Sequence, residues 1–181
     1  PAYKAARAGI VQIPEGRRIF PNISVADNLA LGSFALKDKS QIASRLARMY
    51  ELFPILKERQ DQAGGSLSGG EQQKAALGML LLTQPDIFLL DEPTKGLDIR
   101  TRNDLAEILT AQSAQGVAVV IVTHDLEFAA AHAHTCAMIF NGEVTCVEPT
   151  RSFFSGNTFY TTAASRISRG LLDSAITRED V

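Results

Sequence analysis

The sequence contains no apolar stretch of the roughly 20 residues that are needed to cross a bilayer. Its first residues, PAYKAARAGIVQIPEG, also lack the apolar segment of a secretory signal. Acidic and basic residues nearly balance, with a formal net charge of −2, and the densest basic group is the short EGRR stretch. We therefore expect a cytosolic protein that is neither inserted nor exported by its own sequence and has no nucleic-acid partner.

Cysteine is scarce, with two residues that both lie in TCAMIFNGEVTCV. The apolar runs around Asn141 and Gly142 predict a β-hairpin with a two-residue turn. Such a turn places Ala137 opposite Cys146, so that Cys136 points to the other face of the hairpin from Cys146. We expect no disulfide between the cysteines, and no metal site at them, because no histidine has suitable spacing to both.

Helical and strand-like segments alternate through the sequence. With 45% hydrophobic residues in 181, the chain is long enough for one globular domain with a real core. The predicted order after an early strand in AGIVQI is helix 69–83, strand 86–91, helix 100–114, strand 117–123, helix 125–134 and then the hairpin. Continuous apolar runs such as IFLL and VAVVIV are typical of parallel strands covered on both faces. The fold class is therefore predicted as α/β.

Residues 24–65 carry helix signals only. Ser24 can cap a helix, with Asp27 three residues further on as an acidic variant of the capping box. A second helix is expected over about 40–53, where apolar residues recur at helical spacing, and 56–66 reads as a loop. This region is therefore predicted to be a helical insertion beside the sheet.

The stretch LSGGEQQ combines a polar helix start with a glycine pair. Ser68 precedes the helix and Glu71 follows three residues later, so that hydroxyl and carboxylate can both satisfy free amides. Gly69 and Gly70 weaken the first turn, which suggests that another group approaches the backbone closely, and a helix start suits a phosphate. Spacing alone leaves an ordinary capped helix as an equal alternative.

An apolar strand that ends in two acids follows in PDIFLLDEP. Asp91 and Glu92 come at the carboxyl end of this strand, where open α/β sheets bind ligands, and Pro93 stops the strand. Asp91 can hold Mg²⁺ through water and Glu92 can polarise an attacking water, which are roles that phosphoryl transfer requires. A solvated acidic turn is the alternative, and the preceding apolar strand disfavours it.

A histidine follows the next apolar strand, in VIVTHD. His124 therefore reaches the same edge of the predicted sheet as the acids. A structural role is the commoner one for such a histidine, and the neighbouring Asp125 can cap the helix that follows.

Together, LSGGEQ, IFLLDEP, GLD and VIVTHD, in this order and spacing, resemble the ATPase subunit of an ATP-binding cassette (ABC) transporter over roughly residues 9–169. The resemblance implies a P-loop NTPase-like parallel sheet, ATP and Mg²⁺ as ligands, and ATP hydrolysis by the full-length domain. It also implies a second ABC ATPase subunit and transmembrane permease subunits as partners, at the cytoplasmic face of the membrane. Residues 1–181 then form a partial ATPase domain with a helical subdomain 24–65, a motif-bearing core 66–147 and a C-terminal extension 148–181.

The same resemblance implies a role for each motif residue. The signature motif, which contacts the ATP bound by the opposite subunit, includes Ser68, Gly69, Gly70 and Glu71. Asp91 ends the Walker B strand and binds Mg²⁺ through water, and Glu92 is the catalytic glutamate. Asp98 belongs to the D-loop, and His124 is the switch histidine that senses the γ-phosphate. Glu15 occupies the Q-loop position at which the family usually has glutamine.

The subfamily resemblance changes along the chain, near residues 72–75. PEGRRIFPNISVADNLALGSF and YELFPILKER resemble branched-chain amino-acid importers, whereas KAALGMLLLTQPDIFLLDEPTKGLD and EPTRSFFSGNTFYTTAASRISRG resemble energy-coupling factor (ECF) importers of vitamins or metal ions. The first half of such a domain contacts the membrane subunits, so amino-acid import is favoured and ECF-type import is the alternative. ABC proteins of ribosomes or DNA usually carry a second cassette, a basic linker or a coiled-coil insertion, and these 181 residues show none.

The phosphate-cradling pattern G-x-x-x-x-G-K-[ST], expected upstream of the Q-loop, has no match in the 181 residues. Lys39 and Ser40 come nearest, but Asp38 and Ser33 stand where glycines are required. The resemblance thus describes an ATPase domain without about its first third, or an inactive interaction module if the chain is complete.

We predict that the 181-residue chain binds ATP weakly and does not hydrolyse it, because the lysine and amides that hold the β- and γ-phosphates are absent from its sequence. Calorimetric titration with ATP and a phosphate-release assay with Mg²⁺ measure the two quantities. Saturable hydrolysis that persists in the Glu92→Gln variant would contradict the prediction.

Overall fold

The computed structural model describes residues 2–14, 16, 19–35, 39–83, 85–156, 161–168 and 175–180. Two compact units divide the chain, Pro1–Val122 and Thr123–Val181. The first unit contains α1 (Ala2–Arg7), β1 (Ile10–Ile13), α2 (Val25–Gly32), α3 (Ile42–Leu52), α4 (Pro54–Glu58), α5 (Gly69–Leu81), β2 (Ile87–Asp91), α6 (Ile99–Ala114) and β3 (Ala118–Val122). The second contains α7 (Leu126–His132), β4 (Thr135–Phe140), β5 (Glu143–Pro149), α8 (Thr150–Gly156) and α9 (Ala163–Ser168). None of the described helices is both long and apolar enough to cross a bilayer.

A three-stranded parallel sheet in the order β1-β2-β3 forms the centre of the first unit. β2 is the middle strand: Leu90 pairs with Ile13 of β1, and Asp91 pairs with Val122 of β3. Phe88 and Leu90, on one face of β2, are completely buried, whereas the other residues of the strand are half-buried. The predicted β2 and β3 are confirmed to within one residue at each end, and so is the α/β class.

Within 24–65, the described residues 24–35 and 39–65 form helices and turns, with one antiparallel bridge between Ser24 and Ala63. Ser24 caps α2, because its Oγ accepts a hydrogen bond from the Asp27 amide at 3.0 Å and donates to the Asp27 carboxylate at 2.6 Å. The prediction of a loop over 56–66 is wrong for its first residues, which belong to α4. Leu56 is fully buried in α4, whose first residue is a proline, and proline is favoured at that position because its fixed φ suits a helix start.

A buried asparagine in α2 holds the loop that precedes the helix. The Asn28 side chain is inaccessible to solvent. Its Oδ1 accepts from the Phe20 amide at 2.7 Å, while its Nδ2 donates to the carbonyls of Phe20 at 2.9 Å and of Ser24 at 3.0 Å. Both polar atoms of the side chain are therefore satisfied by backbone groups up to eight residues away.

The hairpin of the second unit has the predicted turn, since Asn141 and Gly142 both adopt positive φ, 51° and 82°. Its predicted register is wrong: Cys146 lies opposite Met138, and Thr145 is an extra residue in β5. The Thr145 hydroxyl donates to the Met138 carbonyl at 3.2 Å. Side chains alternate between the two faces of a strand, and an inserted residue shifts that alternation by one. Cys146 and the residues after it in β5 therefore point to the opposite face from the one predicted.

This bulge changes the placement of the cysteines. Cys136 and Cys146 lie on the same face of the hairpin, and both pack against a cluster that contains Phe153, Phe154 and Ile176. The expected opposite orientation is therefore wrong, although both cysteines are free, as predicted. They are diagonal rather than directly opposed, and diagonal side chains are too far apart for a disulfide without backbone movement.

The C-terminal segment is held onto this cluster. Ile176 is 2% exposed. The Asp180 carboxylate accepts from the amides of Ile176 at 3.1 Å and Thr177 at 2.9 Å, and it pairs with Arg151 at 3.0 Å. These bonds hold the pKa of Asp180 well below its usual value, and the bond from the Ile176 amide makes the largest contribution.

We predict that Asn28→Ala lowers the free energy of unfolding by about 2–4 kcal/mol, because it leaves buried backbone groups of residues 20–24 without partners. Urea denaturation measures this cost, and amide exchange at Phe20 should accelerate in the same variant. Asn103→Ala, at an exposed position of α6, is the matched control and should change stability by less than about 0.5 kcal/mol. Equal stability of the two variants would contradict the assigned role of Asn28.

Candidate functional site

A cavity of ≈ 320 Å³ opens at the carboxyl edge of the parallel sheet in the first unit. The carboxyl ends of parallel strands meet at one edge, which is where open α/β sheets bind ligands. The lining comes from the end of β1, the turn after β2 and the side of α5, and consists of Ile13, Pro14, Gly16, Gln72, Gln73, Asp91, Glu92, Lys95 and Gly96.

The turn after β2 holds the acid pair in this lining. Glu92 has a φ of 48°, in the left-handed region that residues other than glycine rarely adopt. Its amide donates to the carbonyl of Val122 at 2.8 Å, and its carbonyl accepts from the amide of Lys95 at 3.2 Å. The chain therefore turns sharply as soon as β2 ends, and Glu92 stays beside Asp91 at the cavity.

The two carboxylates suit a particular kind of metal binding. Within the described part of the chain, no three or more His, Cys, Asp or Glu side chains are grouped closely enough to hold a metal ion. Mg²⁺ in phosphate-handling sites is usually bound by one or two carboxylates together with water and phosphate oxygens. A site of this kind needs few protein ligands, and the lining supplies the carboxylate of Asp91, the residue predicted to hold the ion.

The predicted capping box is confirmed at the start of α5. The Ser68 Oγ accepts from the Glu71 amide at 3.4 Å, and the Glu71 carboxylate accepts from the Ser68 amide at 2.7 Å. The Arg59 Nε lies 3.0 Å from the other carboxylate oxygen. Partial burial raises the pKa of Glu71, but the hydrogen bonds of Ser68 and the charges of Arg59 and Lys74 together outweigh burial and lower it.

Gly70 lies close to the start of α6. A Cβ atom at this position would be 3.2 Å from the Thr101 Oγ1 and 3.4 Å from its Cγ2. Thr101 is itself held by Asp98, which caps α6 by accepting from the Thr101 amide at 2.9 Å and hydroxyl at 3.0 Å; these bonds lower the pKa of Asp98. The glycine pair predicted that another group approaches the backbone closely. At Gly70 this group is Thr101, a residue of the same chain.

The structure brings some of the predicted site residues together and separates others. Asp91 and Glu92 share the cavity. The part of the lining that belongs to α5 consists of Gln72 and Gln73. The predicted signature residues lie outside the lining, at the start of the helix: Ser68, Gly69, Gly70 and Glu71.

His124 is an exposed residue near the beginning of the second unit. Its neighbour Asp125 caps α7, as predicted, by accepting from the Phe128 amide at 3.1 Å. The Thr123 hydroxyl in turn accepts from the Asp125 amide at 3.0 Å. Glu15, at the predicted Q-loop position, lies outside the described residues.

Two residues of the cavity were not identified from the sequence. Gln73 is 4% exposed, and a glutamine on the otherwise apolar, buried face of α5 is a detectable signal. Lys95 follows Glu92 by three residues, in a turn that Pro93 and Gly96 mark in the sequence. Lys95 adds a positive charge beside the two acids of the described lining.

Comparison with known proteins gives consistent matches. Residues 1–95 match the family model described as ABC transporter. A putative ABC transporter ATP-binding protein of Bacillus cereus is 43% identical over 141 residues, which cover 78% of this chain and 25% of that protein. The high-affinity branched-chain amino acid transport ATP-binding protein BraG of Pseudomonas aeruginosa is 38% identical over 144 residues, which cover 80% of this chain and 61% of BraG.

A solved dimeric ATP-binding cassette, bound to ADP and Pi in a post-hydrolysis state, superposes with a TM-score of 0.72 at 26% identity. The match covers 83% of this chain and 67% of that one. The resemblance stated from the motifs and the P-loop NTPase-like fold are thereby confirmed. The chain spans a quarter of the length of the B. cereus relative and about three fifths of BraG.

We predict that Glu71→Ala destabilises the protein by about 1 kcal/mol at pH 7, because it removes half of the capping box. The pKa of Glu71 is lower in the folded state, so its contribution is present above its ordinary value of 4.5 and is lost as the pH falls through the folded-state pKa. The natural protein and Glu71→Ala should therefore differ in their free energy of unfolding, measured by urea denaturation, by less at pH 3 than at pH 7. Glu107→Ala, at an exposed position of α6, is the control, and a pH-independent cost of Glu71→Ala would contradict the prediction.

Proposed function

The chain belongs to the ABC transporter family, and we propose that it carries the Walker B and signature parts of an ATP-hydrolysing subunit that powers a solute importer. The observation that supports this most directly is the pair Asp91 and Glu92 in one cavity at the carboxyl edge of the sheet. Phosphoryl transfer depends on positioning and charge stabilisation, and this cavity supplies carboxylates next to a fixed turn.

In the proposed reaction, Glu92 accepts a proton from a water molecule that attacks the γ-phosphorus of ATP. A bond forms between the water oxygen and phosphorus while the bond to the ADP oxygen breaks, and ADP and inorganic phosphate leave. Asp91 would hold Mg²⁺ through water, and the bound ion would neutralise charge on the phosphate oxygens. The hydrogen bond from the Glu92 amide to Val122 keeps the base in place.

The placement of the signature residues supports a site shared by two subunits. Ser68, Gly69 and Gly70 lie in the first turn of α5, where backbone amides suit a phosphate, but outside the cavity that contains Asp91 and Glu92. In the proposed dimer, these signature residues contact the ATP held by a second ABC ATPase subunit. The solved cassette that this chain resembles is itself a dimer.

Three further roles belong to the same proposal. Asp98 at the start of α6 is the D-loop acid, His124 after β3 senses the γ-phosphate, and Glu15 contributes to the water shell of the metal ion. Asp98 also caps α6, and this structural role is compatible with a place at a subunit interface.

We propose branched-chain amino acids as the transported solute and membrane permease subunits as partners, at the cytoplasmic face of the membrane. The match to BraG over 80% of the chain supports this choice. Import proteins named for spermidine/putrescine and for xylose also match, so the family match by itself does not select the solute. The helical region 24–65 is proposed to contact the permease, and Phe34, which is 91% exposed there, supports that role.

We predict that Glu92→Gln, in the gene product that carries these 181 residues, lowers ATP hydrolysis by about 10²–10⁴-fold through loss of the general base. The same change should increase the ATP-bound dimer, because one carboxylate beside the phosphates is neutralised. Phosphate release measures the rate, and size-exclusion chromatography with ATP measures the dimer.

Glu107→Gln is the matched control, because Glu107 is exposed on α6, and it should leave both quantities unchanged. Unaltered hydrolysis in Glu92→Gln would show that the catalytic base lies elsewhere.

A further inference from the structure

The helix start that is proposed to contact a phosphate carries a fixed negative charge. The Glu71 carboxylate is held in the first turn of α5 by the Ser68 amide at 2.7 Å, and the side chain is 17% exposed. A carboxylate in this position satisfies the helix terminus, but it also repels a phosphate that approaches the same turn. The helix cap therefore favours a negative charge at this turn, whereas phosphate binding disfavours one.

Among the described residues, Arg59 and Lys74 are the cations near Glu71, and they differ in their pairing. The Lys74 Nζ is 2.8 Å from the Asp104 carboxylate, so most of its charge is already balanced by an acid of α6. The Arg59 Nε lies 3.0 Å from Glu71 Oε1. Arg59 therefore provides the larger neutralisation of the Glu71 charge.

Arg59 is also held in place by its surroundings. It ends α4, where its amide donates to the Ile55 carbonyl at 3.1 Å, and its carbonyl accepts from the Gln62 amide at 2.9 Å. Its Nη1 donates to the Gln62 side chain at 3.3 Å. The carbonyl of Gln62 in turn accepts from the Val25 amide at 2.9 Å, which ties this loop to the start of α2. The guanidinium thus approaches Glu71 from a hydrogen-bonded loop, which lowers the entropy cost of the ion pair.

We propose that Arg59 is a positioning residue of the signature motif. It neutralises Glu71 and keeps that carboxylate on the Ser68 amide, so that the first turn of α5 is both capped and able to receive a phosphate. This role rests on the proposed function of Ser68, Gly69 and Gly70. Arg59, which precedes Ser68 by nine residues, thereby affects the affinity for ATP.

The test compares four forms of the gene product that carries these residues: the natural form, Arg59→Gln, Glu71→Gln and the double variant. Glutamine at position 71 can still form the capping box, because the motif accepts Glu or Gln, but it carries no charge. Arg59→Gln should raise the KM for ATP roughly three- to tenfold, through the unbalanced charge of Glu71. In the Glu71→Gln background, Arg59→Gln should change the KM by less than about twofold, so the double variant should match Glu71→Gln alone.

Two further measurements separate this role from a purely structural one. Arg59→Lys keeps the charge and should restore most of the ATP affinity that Arg59→Gln loses. Raising the salt concentration should shrink the effect of Arg59→Gln on KM, because exposed charges are screened. Arg48→Gln, at an exposed position of α3, is the matched control and should leave KM unchanged.

An unchanged KM in Arg59→Gln overturns the proposal, and so does a double variant that stays as impaired as Arg59→Gln alone. The second result would show that Arg59 acts by holding the loop rather than by balancing charge. Neither result bears on the catalytic role of Glu92, whose failure would be visible separately as unaltered hydrolysis in Glu92→Gln.

Discussion

The position of β2 between two parallel neighbours is the constraint on which the rest of the site depends. The face of this strand that packs on the core must be apolar until the strand leaves the sheet, and Phe88 and Leu90, both completely buried, meet this requirement. Polar chemistry can therefore begin only at its carboxyl end. Asp91 and Glu92 stand there, beside the end of β1, and the cavity forms around them.

Two helix starts of the first unit, those of α5 and α6, are structurally linked. α5 begins with the capping box of Ser68 and Glu71, and α6 begins with the Asp98–Thr101 cap. Gly70 brings these starts close together, since a Cβ atom at this position would lie 3.2 Å from the Thr101 Oγ1 and would require that side chain to shift by a few tenths of an ångström. The Lys74–Asp104 pair joins the same helices further along. A change in the position of one helix start must therefore be accommodated by the other.

Features that depend on residues three or four apart could be predicted from the sequence. The caps at Ser24, Ser68 and Asp125 follow from such local spacing, and β2 and β3 follow from their uninterrupted apolar runs. Features that depend on distant residues could not. The contacts of Asn28 with Phe20, and of Arg59 with Glu71, join residues 8 and 12 positions apart through the folded chain.

The hairpin shows how a single local detail defeats a correct general rule. Strand alternation and the Asn141-Gly142 turn were both predicted correctly, yet the extra residue Thr145 reversed the face of every residue after it in β5. Nothing in the composition of EVTCV distinguishes a bulged strand from a regular one. The short helix α4 is a different case, because Pro54 at its first position is a sequence signal that the loop prediction did not use.

The left-handed backbone of Glu92 sets stability against chemistry at one position. Holding a residue other than glycine at φ 48° costs of order 1–3 kcal/mol, which glycine at the same place would recover. Selection of this chain for heat resistance alone would therefore favour replacing the very carboxylate that lies next to Asp91. A library designed to improve its thermal tolerance should keep residue 92 fixed, since relief of the backbone strain in this turn would remove the acid from the cavity.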